Sequence, residues 1–171
     1  MTSALVAAAS TDAPPWAIYA ALITAGVGLL GQAGIRVKEA RDRRREEYSR
    51  AFAAAMQWIE FPYRIARRLS NEVEDVTPII LAMHEAQQEI AFHENWLRSV
   101  SDDIANSYES LVTAVKTKSE AHIEAAWQRA PAKVPEGMIL GEAFRVDVKN
   151  EVARFTNEIR RDLSLWRRLS T

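Results

Sequence analysis

Hydrophobic and polar positions divide this chain into one long charge-free run and a remainder with helical periodicity. Trp16 to Ile35 reads WAIYAALITAGVGLLGQAGI, and no charged residue occurs between Asp12 and Arg36. At about 1.5 Å of rise per residue, a helix of this length covers about 30 Å, the hydrocarbon thickness of a bilayer. The run therefore predicts a transmembrane helix over 16–35. Trp16 and Tyr19 stand where an aromatic belt would lie, and Arg36, Lys38, Arg41, Arg43, Arg44 and Arg45 close the other end. Residues 1–15 carry no Lys or Arg. The positive-inside rule therefore predicts an extracytoplasmic tail over 1–15 and a cytoplasmic domain over 36–171, in the cell membrane. A cleaved signal peptide, with Gly31-Gln32-Ala33 as a loose cleavage site, lacks the basic leading region and would carry the arginines outward.

Within the run, Ala17, Ala21, Thr24, Gly28 and Gly31 are spaced by four, three, four and three. That repeat places small residues on one stripe, where another membrane helix can approach closely with left-handed packing.

Beyond the run, Arg36 to Arg50 interleaves arginines with Glu39, Asp42, Glu46 and Glu47. Such alternation predicts a solvated helix continuing from the membrane, with Glu39–Arg43 and Glu46–Arg50 pairs. Its basic cluster suits contact with anionic lipid head groups. Phe52, Met56, Ile59, Tyr63 and Ala66 then form an apolar stripe, which Pro62 is expected to kink or break near Phe61. Arg64, Arg67 and Arg68 read as a solvated face near the helix end.

Ser70 to Thr77 reads as a turn, with Thr77-Pro78 as the start of the next helix. From there Met83, Ile90, Leu97, Ile104 and Leu111 recur every seven residues, with Ala86, His93, Val100, Ser107 and Ala114 between them. This is a coiled-coil-like seam on a helix expected to run unbroken over about 78–129, although Ser101-Asp102-Asp103 carries the signature of a helix start. A further turn at 130–137 precedes a helix over about 138–169, marked by Val148, Val152, Phe155, Ile159, Trp166 and Leu169. Arg160, Arg161, Arg167 and Arg168 suit the negative pole at its end. The predicted fold class is all-α: one N-terminal transmembrane helix, then a cytoplasmic antiparallel coiled-coil-like bundle of three long helices, over about 36–69, 78–129 and 138–169.

Composition sharpens the functional reading mainly by subtraction. Net charge is −1, so no global basic field points to nucleic acid. There is no cysteine, hence no thiolate nucleophile or metal ligand. Glu85, Glu89 and His93 align along one helix, but the Glu-x-x-His pattern of bundle metal sites is missing. No Gly-flanked nucleophile and no phosphate-binding loop occurs, so neither catalysis nor a cofactor or metal is expected. The expected function is a membrane-anchored helical scaffold that self-associates and holds an unidentified cytoplasmic protein at the inner face. The alternative is a small pore-forming or lysis-type oligomer assembled through the Gly/Ala face of the span, against which the absence of charge in the span weighs.

Overall fold

The computed structural model describes residues 36, 38–132 and 144–169, the last five of them by backbone alone. The expected tail, span and small-residue stripe lie outside these residues. No described helix is long and apolar enough to cross a membrane.

Helix α1 covers 38–57 and passes through a 3-10 turn, Trp58–Glu60, into the short α2, Phe61–Ala66. Pro62 explains the tight turn. Having no N–H, it leaves the Trp58 carbonyl without its ordinary partner four residues on. The Phe61 N–H takes that carbonyl instead, at the shorter i→i+3 spacing.

Helix α3, Val73–Val100, begins five residues before the expected Pro78. Ser70 acts as the local organiser, with its Oγ accepting the Glu72 N–H at 3.1 Å and donating to Asp75 at 2.5 Å. Pro78 therefore lies inside the helix. It is exposed, and the Glu74 carbonyl it cannot bond belongs to an exposed residue, so water can satisfy that group.

The expected unbroken helix over 78–129 is two helices: α3 ends at Val100, and α4 spans Asp102–Gln128. Ser101, with φ −166° and ψ 129°, is extended and serves both ends. Its N–H donates to the Leu97 carbonyl, and its carbonyl accepts from Ala105. Asp102 and Asp103 place negative charge in the first turn of α4, where the helix dipole favours it. Arg98 then locks the reversal, donating to Asn106 Oδ1 at 2.7 Å and Glu109 Oε2 at 3.1 Å. In one straight helix residues 98 and 109 would stand about 16 Å apart.

Helix α5, Lys149–Leu169, also starts later than expected. Residues 145–148 have no regular structure, and the Lys149 N–H bonds the Asp147 carboxylate at 3.2 Å. Phe144 is buried and anchors this approach: its ring packs edge-on to Tyr63 and its N–H donates to the Tyr63 hydroxyl.

Four packed rods result rather than three: α1 with α2, then α3, α4 and α5. Contacts fix their alternating directions. Tyr48 of α1 meets Trp96 near the end of α3, and Lys116 of α4 lies over Trp58. Tyr108 packs on Phe155, while Lys118 pairs with Glu151 at 3.1 Å. Ile90, Leu97, Ile104 and Leu111 are buried in the shared core and Met83 is half-buried, so the heptad seam is covered from within the chain. Val73, Ile80, Leu81 and Phe92 remain exposed on α3.

Candidate functional site: the basic end of the bundle

The first turns of α1 carry the basic cluster, and the fold sorts its members. Arg36, Lys38, Arg43 and Arg45 are exposed, while Arg41 and Arg44 are half-buried. Glu39 and Arg43 approach to 3.8 Å, and Glu46 and Arg50 to 2.6 Å, the two pairs expected from spacing. Both are exposed and contribute little to stability.

Arg44 is different, because it faces α5. Its Nη1 lies 3.3 Å from both carboxylate oxygens of Asp162. The Tyr48 hydroxyl, one turn along α1, donates to Asp162 Oδ2 at 2.7 Å. Tyr48 is only 1% exposed. Burial first, then the adjacent carboxylate, hold its phenol well above the ordinary tyrosine range, so it stays a donor.

This three-residue clamp brings the end of α5 beside the beginning of α1. Arg160 and Arg161, 115 or more positions away from the cluster in sequence, therefore join the same end of the bundle. Arg161 pairs with Glu158 at 3.0 Å. The last turn of α5 also contains Arg167 and Arg168 by sequence. Between α1 and α5 runs a groove of about 410 Å³, with Arg41, Arg45 and Arg160 on its rims and Phe52, Ile159 and Leu163 along its floor.

At the opposite end, Arg68 departs from its expected solvated role. It is 4% exposed. Its guanidinium donates to the carbonyls of Ile65, Ala126, Trp127 and Arg129 at 2.7–3.0 Å and to Asn71 Oδ1 at 2.7 Å. Those five bonds match the five N–H donors of arginine. Ala126 and Trp127 belong to the last turn of α4, whose carbonyls have no intrahelical partner. The Arg68 carbonyl accepts from Ala132, and Trp127 lies under the guanidinium at 5.2 Å. Arg68 thus joins the α2–α3 turn to the end of α4.

His93, a seam position, is 3% exposed and borders a cleft of about 510 Å³ between α1 and α3. Its Nε2 is 3.6 Å from Glu89 Oε2, and its Nδ1 is buried without a hydrogen-bond partner. Glu85 is exposed, and among the described residues no three His, Asp or Glu side chains converge as a metal site would require. Burial is the largest influence on His93 and depresses its pKa below 6.5, against an opposing pull from Glu89 and Glu47; Arg50 acts with burial. The folded state therefore favours neutral imidazole. The corresponding stability is fully present above the unfolded value of about 6.5 and is lost as pH falls below it toward the folded value. Acid unfolding of a His93→Gln variant is expected to begin at lower pH than that of the native chain. Superimposable acid transitions would remove His93 from that role.

Chemically, the basic end offers cations and an apolar floor. Sequence reasoning located its α1 half, missed Asp162 and read Arg160 only as a cation at a helix end; the antiparallel return of α5 brings both there. No protein-family model, no curated protein and no solved structure matches the chain.

Proposed function

We propose that this chain is a membrane-anchored helical interaction module, mounted with its basic end against the cytoplasmic face and presenting the bundle to a partner. One observation carries the reading. The helix that follows the charge-free run and bears its basic cluster is also a core element of the bundle, burying Tyr48, Ala51 and Ala55. A bundle built on that helix would stand close to the bilayer surface. Arg36, Lys38 and Arg43 stay exposed for anionic head groups, each charge near the surface contributing about 1 kcal/mol. Self-association through the bundle would use exposed α3 residues such as Leu81 and Phe92, because the heptad seam is occupied internally.

The test is membrane retention. Full-length chain is expected to stay with the membrane pellet through alkaline carbonate, and a variant lacking residues 16–35 to leave it almost completely. Release of the full chain by carbonate would sink the anchor reading. The orientation is checked by labelling Ser170→Cys in intact cells, which is expected to stay unlabelled from outside.

A further inference from the structure

The α1/α5 groove narrows what kind of partner the module holds. Its floor combines Phe52 from one helix with Ile159 and Leu163 from the other, and its rims carry Arg41, Arg45 and Arg160. Among the described residues, no carboxylate lines it. Of the nearby acids, Glu39 pairs with Arg43, Glu46 and Glu47 with Arg50, Glu158 with Arg161 and Asp162 with Arg44, while Asp42 stands exposed one turn before Arg45. The groove is thus an apolar trough edged by three arginines, with Asp42 as the nearby acid that no other side chain engages among the described residues.

Its dimensions suit a helix. Arg41 to Phe52 covers about 16 Å of α1, or three turns. Two helices at ordinary packing distance leave a trough in which a third can lie, reading out apolar anchors at i, i+3, i+4 and i+7. A lipid is the weaker fit. The head-group layer of a bilayer is only about 5–8 Å deep on each side, whereas about 21 Å of helix separates Lys38 from the floor residue Phe52. An acyl chain would have to leave the bilayer entirely to reach the Phe52 end of that floor.

We propose that this groove seats an amphipathic helix with acidic flanks, contributed by a partner protein at the membrane surface. The proposal rests on the interaction-module reading, but its test is separate. The native full-length chain, held in neutral phosphatidylcholine nanodiscs, is titrated against a fluorescein-labelled three-turn peptide with leucines at i, i+3, i+4 and i+7 and glutamates on both flanks. A second peptide carries lysine in place of every glutamate. The acidic peptide is expected to bind at least tenfold more tightly, and the Arg45→Glu/Arg160→Glu variant is expected to reverse that order. Both arginines are exposed, so the variant keeps its fold, which its thermal melt verifies. A floor substitution, Leu163→Gln, is expected to weaken the acidic peptide several-fold without changing the charge preference. Equal binding of the two peptides, or an unchanged order in the charge-reversed variant, overturns the proposal. So does competitive displacement of the acidic peptide by phosphatidylserine, which would assign the groove to lipid. A chain that fails to enter membranes but still shows the peptide preference refutes the anchor and leaves the groove standing.

Discussion

Replacing Arg68 by alanine is expected to destabilise the bundle by roughly 3–5 kcal/mol, a large part of the stability available to a domain of this size. The cost comes from what is left behind. Four backbone carbonyls and the Asn71 side chain lose a donor together, and three of those carbonyls belong to the last turn and cap of α4. Each buried acceptor left without a partner costs about 1–3 kcal/mol, with partial relief where water can enter. Arg68→Lys is expected to recover less than half, since one ammonium offers three donors from a point and cannot span both helix ends. Arg64→Ala, at an exposed position four residues earlier, provides the control and should change stability by no more than about 0.5 kcal/mol. Thermal and denaturant unfolding of the full chain in detergent would measure all three. A near-neutral Arg68→Ala would show that the α4 end is held by something else.

That residue also marks how far sequence can be read. A run such as Arg67-Arg68 following an amphipathic helix ordinarily faces water, and nothing in its spacing names the carbonyls of residues about 60 positions later. Helical periodicity was legible because burial depends on azimuth around a helix. Every seam position from Ile90 to Leu111 faces the core, as the sevenfold repeat implies. The same repeat says nothing about whether the axis is straight. Ser101 reverses the chain while Leu97 and Ile104 remain seven apart, so the break leaves the pattern untouched. The cue was the Ser101-Asp102-Asp103 helix-start signature, which competed with an unbroken register. At Pro78 the ordinary preference for the first turn lost to Ser70, whose hydroxyl organises an earlier start.

The basic end divides in the same way. Its α1 half follows from local composition, including the two i,i+4 pairs. The α5 half depends on topology: Arg160 reads locally as a cation near a helix C-terminus, and only antiparallel packing makes it the opposite rim of a groove. Arg44 is indistinguishable in sequence from Arg43 and Arg45. It differs because Tyr48, one turn later, is buried on the same side and both reach Asp162.

The clamp's contribution can be separated from general packing. Asp162→Ala is expected to cost about 2–3 kcal/mol, because the buried Tyr48 hydroxyl loses its acceptor and Arg44 loses its counter-charge on α5. Tyr48→Phe should cost about 1 kcal/mol, since it removes the donor while Asp162 keeps Arg44. If the three act as one unit, Arg44→Ala combined with Asp162→Ala will be less damaging than the sum of the single changes by at least about 0.5 kcal/mol. Additivity in that cycle would mean that the 3.3 Å approach carries no coupling. The positional consequence is more informative than the energy. Asp162 joins the two walls of the groove, so its loss should loosen α5 from α1 near Arg160 and Leu163 while Phe155 stays packed on Tyr108. Amide hydrogen exchange in α5 would then rise after Ile159 and remain unchanged before it. The same variant should weaken the acidic peptide although no groove-lining residue has been altered. A uniform rise in exchange along all of α5 would instead show that the helix docks as one unit and that the clamp has no special hold on the basic end.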